Sequence, residues 1–344
     1  MKLPFDFGFK LIFRLLLPGL ILTLGLLPVL RMILVWGGWA DKIEYVFPIV
    51  AFVIGWLFLI ADMHIYMLFE GRRYWPEFLL KRFYSREEER LNRIQKNIDD
   101  YLQLEKSSST PPPPDAYQRY VENYVDRRNF MNDDGEYKVK RPTRLGNLIK
   151  AYEEYPYRVY RMDAVFYWPR LWLKLTKETR EELDTQQAVA DSTVYTAFAL
   201  FCSGLLWLIY AVLSSLQAIF INNTEIRLPT SKVTVFEYLP HWLITWTLFV
   251  AFIALGYFVY RVCVHTHASY GDLFKSLFDN YQKEVEVLPI VQEVAELCGD
   301  ASVLQLGRKE QLEITRNYLE YALVKCPRCN EYIAASKIKN HKCP

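Results

Sequence analysis

Four side chains near the end of the chain have the types and spacing of a metal site. Cys326-Pro327-Arg328-Cys329 is followed, after eleven residues, by His341-Lys342-Cys343. Three thiolates and one imidazole at this spacing suit a tetrahedral Zn²⁺. With Cys326, Cys329, His341 and Cys343 all bound, no position is left for water, so the expected role of the zinc is structural. In so short a tail, metal binding would supply most of the folding energy, about 10–16 kcal/mol in finger peptides. Lys325, Arg328, Lys337, Lys339 and Lys342 surround the four ligands. The module is therefore basic, open to an acidic protein, anionic lipid or nucleic acid. A net charge of +2 over 344 residues does not support a general nucleic-acid binder.

Other titratable groups fall near apolar segments. Asp62 and His64 follow the apolar run that ends at Ile60. Ionisable groups at membrane depth are costly and often functional, so this pair is a candidate ion or proton path. The competing reading is an interfacial pair, because Glu70 and Arg72 follow within about two turns. In Cys263-Val-His265-Thr-His267, residues 263 and 267 share a helix face and 265 does not, which favours packing over a second metal site. No phosphate-cradling glycine loop, G-x-S-x-G elbow or H-E-x-x-H occurs in the chain. The expectation is a protein that is not an enzyme.

The elements that must carry these groups are largely membrane helices. The chain is 52% hydrophobic and 16% aromatic, but the apolar residues are concentrated in four blocks. These are Leu11 to Trp36, Tyr45 to Ile60 (extending to Phe69), Val194 to Ile221 and Trp242 to Tyr260. A bilayer core needs roughly 20 apolar residues in a helix, so the expected fold is an all-α integral membrane protein with four transmembrane helices. Pro18, Gly19 and Pro28 mark the first block as one that would bend or re-enter. Cations crowd the end of the second block (Arg72, Arg73, Lys81, Arg82 and Arg86), and the loops at 37–44 and 222–239 carry few. The positive-inside rule then puts both termini in the cytoplasm of a multi-pass protein of the inner (plasma) membrane.

Five domains are expected: the first two spans in 1–70, a helical cytoplasmic domain in 71–193 with a proline-rich loop at 107–115, two further spans in 194–261, amphipathic helices in 262–322, and the zinc module in 323–344. Within 76–106, Leu91, Ile94, Ile98, Tyr101 and Leu104 form a short apolar stripe. Pro156 is expected to break or kink a helix running from Thr143 to Tyr160. The Tyr/Trp-rich stretch around Tyr167-Trp-Pro-Arg-Leu-Trp172 reads as an aromatic belt at headgroup depth, with Arg170 and Lys174 facing lipid phosphates. A sharper alternative is a recognition surface made by Arg144, Asn147, Glu153, Asp163, Trp168 and Arg170.

Arg144-Leu-Gly-Asn147, Tyr160-x-x-Asp163-Ala164, Trp168-Pro-Arg-Leu-Trp172, Tyr270-Gly-x-Leu273 and Phe278-Asp279 are the segments that carry a resemblance. In these segments the chain resembles a group of bacterial polytopic membrane proteins of unassigned function, over about 143–282. The resemblance implies a membrane protein and brings no activity with it. The zinc tail stands outside it. The leading expectation is a non-enzymatic, membrane-anchored interaction or scaffold protein whose cytoplasmic domain and zinc module recruit or sense a cytoplasmic protein. The alternative is an oligomeric channel or membrane-perturbing effector gated by that domain.

Overall fold

The computed structural model describes residues 12–107, 112–132, 134–223, 242–326, 329 and 331–340, with side chains except at 40, 217–223 and 338–340. These residues are nearly all helical. The helices are α1 (Leu17–Gly25), α2 (Leu27–Trp36), α3 (Ile43–Ile60), α4 (Asp62–Phe69), α5 (Glu77–Ser107), α6 (Pro114–Arg127), α7 (Arg144–Tyr160), α8 (Ala164–Lys174), α9 (Lys177–Asn223), α10 (Trp242–Tyr281), α11 (Leu288–Cys298) and α12 (Arg308–Tyr321). Two short strands follow, β1 (Leu323–Lys325) and β2 (Tyr332–Ala334). The chain divides into two compact units, Met1–Trp75 with Asp184–Tyr270, and Pro76–Leu183 with Gly271–Pro344.

The first unit holds the apolar helices. Among the described residues three helical stretches are long and apolar enough to cross a membrane: Ile43–Ile60, Lys177–Leu216 and Trp242–Glu284. A fourth arises if Ile12–Gly25 and Leu27–Trp36, bent by 71° between them, are one broken span. The bend falls at Leu26, two residues before Pro28, which has no N–H to continue the ladder. Ile49, Phe52, Trp56 and Ile60 on α3 and Val250, Leu255 and Phe258 on α10 are exposed. Apolar faces turned outward suit helices solvated by lipid chains. Small residues let α3 approach α1 and the turn before it closely: a Cβ on Gly19 would run into the Ala51 carbonyl oxygen, and one on Gly55 into that of Leu15. Membrane helices associate through such close backbone contact, because lipid removes the hydrophobic drive between them.

The second unit is built on amphipathic helices. Leu91, Ile94, Ile98 and Phe130 form a core cluster with Leu102, Tyr120, Tyr137 and Val139 packed against it. Tyr101 closes the stripe on α5, and Leu104 is 43% exposed, so the stripe ends one turn short of its expected extent. Thr143 caps α7 by accepting from the Gly146 N–H at 2.9 Å. α7 runs through Pro156 without a break and ends on Arg161 in the left-handed conformation. The expected break is thus displaced. Pro156 is buried, and its carbonyl accepts from the Met162 N–H in the helix-ending turn. Tertiary burial here outweighs the local cost of an interior proline, about 3 kcal/mol.

The stretch 164–174 is helix α8, capped by Asp163, whose carboxylate accepts from the Phe166 N–H at 3.1 Å. Tyr167 and Leu171 are fully buried. The Tyr167 hydroxyl donates to the Leu312 carbonyl. Trp168 stacks near Phe274 and Phe278, with centroids 4.9 and 6.2 Å away. Tyr167 and Trp168 thus pack within the helical unit, while Val165 and Leu173 on the same helix stay exposed. A Tyr/Trp run carries no signal that separates a lipid interface from a protein core.

Candidate functional sites

The cysteine pair sits on a hairpin. β1 and β2 pair antiparallel, with Leu323 opposite Ala334, Val324 opposite Ile333 and Lys325 opposite Tyr332. Cys326 follows β1 directly, and its N–H donates to the Glu331 carbonyl at 2.8 Å, closing the turn that contains Cys329. Val324, 1% exposed, seats β1 on α12. Cys326 is buried and Cys329 half-buried. His341 and Cys343 lie outside the described residues, and among the described residues no group of three or more metal-binding side chains gathers. The chemistry of the donor set fits zinc: two cysteines three residues apart on a hairpin turn supply half of a tetrahedral site. Cys298 is a residue the spacing alone did not single out. It ends α11, where burial raises its thiol pKa and nearby Cys326 and Asp300 push the same way. A cavity of about 280 Å³ opens beside the hairpin, lined in part by Glu310, Glu313, Asn317, Lys325, Cys326 and Tyr332.

The six residues of the expected recognition surface are mostly engaged in building the second unit. Asn147 is 2% exposed. Its side-chain oxygen accepts from the Lys140 and Arg141 N–H groups, each at 2.9 Å, and its amide donates to the Arg141 and Thr143 carbonyls. Arg144 pairs with Asp126 at 3.2 Å. Asp163 caps α8 and pairs with Arg316 at 3.1 Å. Arg170 lies 3.7 Å over the Phe166 ring and donates to its carbonyl. Trp168 packs on Phe274 and Phe278, and Glu153 is exposed. The stretches 144–163 and 270–279 meet in the same unit. Tyr155 and Tyr160 both donate to Asp279 Oδ1 at 2.8 Å. Burial, and then the Asp279 carboxylate, hold both phenols above their ordinary range. The motif residues are therefore packing and capping residues, which is a structural use.

Asp62 and His64 are separated by the fold. Asp62 accepts from the Tyr195 hydroxyl at 2.6 Å, whereas exposed His64 meets the Tyr74 hydroxyl at 2.6 Å. Asp62 instead neighbours a cluster gathered from four segments of the first unit. Asp191 on α9, 5% exposed, pairs with Arg14 and accepts from the Tyr66 hydroxyl at 2.5 Å. The Tyr66 oxygen lies 3.1 Å from His267 Nε2 on α10. His267 is 1% exposed and its Nδ1 faces the Cys263 carbonyl at 3.0 Å. Cys263 is fully buried and His265 exposed, as helical spacing predicts for that triplet. The signal for this cluster was present in the sequence. Asp62/Tyr66, Asp191/Tyr195 and Cys263/His267 are each an i, i+4 polar pair beside an apolar run.

Comparison with family models, with curated proteins and with solved structures brings no match.

Proposed function

We propose that this chain is a multi-pass protein of the bacterial inner membrane that works, without catalysis of its own, as an anchored scaffold. Its helical domain would lie in the cytoplasm with both termini, and would present a structural zinc module to a protein partner. The observation that supports this reading is the cysteine hairpin: Cys326 and Cys329 share one short turn, and the hairpin is seated on α12 through Val324. A metal held there by Cys326, Cys329, His341 and Cys343 would stiffen a basic tip on a folded helical base. The resemblance of 143–282 to bacterial membrane proteins of unassigned function agrees with the membrane setting and adds no activity.

The test is metal analysis and mass measurement on the full chain purified in detergent, beside Cys326→Ser/Cys329→Ser. One zinc per chain in the wild type, lost in the variant along with capture of a protein partner, is the expected result. No zinc in the wild type would sink the reading. The second reading, an oligomeric channel, draws on the charges Arg14, Asp62 and Asp191 brought together in the first unit. A closed ring of four or more subunits, with a conductance altered by Asp62→Asn, would favour it instead.

A further inference from the structure

Tyr74 holds a backbone conformation that its residue type disfavours. Its φ is +70°, in the left-handed region, where the Cβ of a tyrosine crowds a carbonyl oxygen. The other left-handed residues with a side chain, among those described, end helices: Arg161 closes α7 and Ala322 closes α12. For α4 that turn is already made by Gly71, at φ +71°. Tyr74 therefore has no helix to end. Strain of this kind persists where the surroundings enforce it, and it clusters at functional sites. Here the enforcing contacts are plain. The Arg72 and Arg73 N–H groups donate to the Met67 carbonyl at 2.9 and 3.3 Å. The Trp75 indole N–H donates to the Leu68 carbonyl at 2.8 Å. Held from both sides, Tyr74 folds back along α4, and its hydroxyl meets His64 Nδ1 at 2.6 Å.

His64 belongs to a face whose apolar side chains turn outward. Phe52, Trp56 and Ile60 on α3 and Met63 on α4 are exposed, and His64 follows Ile60 by one helical turn. The Tyr74 ring, 59% exposed, is thus laid at the end of an outward apolar stripe. Two exposed arginines stand beside it. The Arg73 guanidinium lies over the Tyr74 ring, 5.8 Å from its centroid, and among the described residues it has no carboxylate partner. Arg72 reaches the buried Glu70 carboxylate through one nitrogen, at 3.5 Å, and keeps its other donors outward. The next carboxylate along the chain, Glu77, is taken up by Lys81 at 2.8 Å. An apolar stripe, then a ring with a polar tip, then cations is the order of acyl chain, glycerol ester and phosphate in a leaflet.

We infer that Arg72, Arg73 and Tyr74 form a binding site for the phosphate of an anionic phospholipid. The guanidinium forks match phosphate oxygens. The Tyr74 ring covers the glycerol region, and the strained turn keeps the arginines beside it. The occupant is a lipid and not a free phosphate, because the site continues the outward face of Ile43–Ile60, a helix long and apolar enough to span a membrane. Acyl chains along Phe52, Trp56, Ile60 and Met63 bring the headgroup to the arginines. The inference rests on the membrane setting proposed above and on nothing about zinc or a protein partner.

Native mass spectrometry of the full chain in detergent, titrated with phosphatidylglycerol, phosphatidylcholine or inorganic phosphate, tests it. The wild type should bind phosphatidylglycerol more tightly than phosphatidylcholine. Arg73→Gln should weaken that binding about fivefold, and Arg72→Gln/Arg73→Gln about 25-fold, from the usual worth of one cation at an anionic surface. Arg31→Gln, an exposed cation on α2, should leave it unchanged. Tyr74→Gly removes the ring and the strain together, so it should weaken lipid binding without lowering the thermal midpoint. A tyrosine with only a structural role would do the reverse. Equal affinity for the two lipids in the wild type would overturn the inference. So would phosphatidylglycerol binding that the double variant leaves intact, or inorganic phosphate competing as an equal. If the double variant does not fold, Arg73→Gln and the wild-type preference still decide. A chain that stays soluble without detergent would sink the membrane reading beneath the site, a result separate from loss of lipid preference.

Discussion

Gly271 lies against the ring of Tyr152: a Cβ at position 271 would fall 2.5 Å from Tyr152 Cδ1 and 3.1 Å from Cγ. Tyr152 is buried and packs on Phe274, with centroids 5.6 Å apart, so the ring has little room to withdraw. The glycine of the Tyr270-Gly271 pair is thereby explained by close packing of α10 on α7. Gly271→Ala is expected to destabilise the protein by about 1–3 kcal/mol, the usual cost of overpacking. Thermal unfolding followed by circular dichroism in detergent reads this. Combining it with Tyr152→Ala should cost less than the two changes separately, since the second removes the obstacle. Strict additivity would show that the contact is not what excludes a side chain.

Asn147 is expected to behave as a structural residue. Its side chain serves the Lys140 and Arg141 N–H groups and two carbonyls at the entry to α7. Asn147→Ala would leave several of these buried groups unsatisfied, at about 1–3 kcal/mol each where no water enters. A total loss of about 2–4 kcal/mol is expected, since water reaches some of them. Asn147→Asp keeps the acceptor but puts a carboxylate beside Glu87, which now accepts from the Asn147 amide at 3.3 Å. That variant should be no more stable than Asn147→Ala at pH 7 and should recover on acidification.

Glu87 supplies a pH dependence of its own. Burial raises its carboxyl pKa, against the lowering pull of Arg90, Asn147 and Arg144. A raised folded-state pKa means that folding favours the protonated form. The contribution is complete below about pH 4.3 and is lost as pH rises through the folded value. Glu87→Gln removes that loss. The variant's unfolding midpoint relative to the wild type should therefore be higher at pH 7 than at pH 4. An equal offset at the two pH values would show that the charge at Glu87 carries no net burial cost.

The close packing of α3 against α1 and the turn of chain before it predicts another failure by overpacking. Gly55→Val places bulk against the Leu15 carbonyl, where even a Cβ has no room. The two helices would have to separate, with a destabilisation of about 1–3 kcal/mol or more. A helix pair held loosely would tolerate the change, and an unchanged thermal midpoint would reveal that.

Cys298 provides a control for the proposed zinc ligands. It ends α11 within electrostatic reach of Cys326 but lies outside the C-x2-C-x11-H-x-C spacing. Cys298→Ser should keep one zinc per chain, and Cys343→Ser should lose it or weaken it strongly. Loss of zinc from Cys298→Ser would reassign the fourth ligand.

Much of the helical framework was legible from periodicity. The apolar runs at 45–60, 194–221 and 242–260 fall inside α3, α9 and α10, and the stripe Leu91, Ile94, Ile98 and Tyr101 is the buried face of α5. Hydrophobic spacing reports this because helix geometry repeats every 3.6 residues and depends only on neighbours along the chain. Cys326 and Cys329, spaced C-x2-C, fall on the turn between β1 and β2.

Partner choice was not legible. The sequence alone determines that residues 167–172 are rich in aromatic rings, that Asp191 is acidic and that Arg14 opens an apolar run. Only the tertiary structure decides that Trp168 meets Phe274, that Asp279 accepts from both Tyr155 and Tyr160, and that Arg14 and Asp191, 177 residues apart, form a pair. It also decides that Pro156 stays within a helix. The reason is physical: propensity and periodicity are set by a few adjacent residues, whereas burial and ion pairing depend on which helix faces cross, and that is settled by packing of the whole chain.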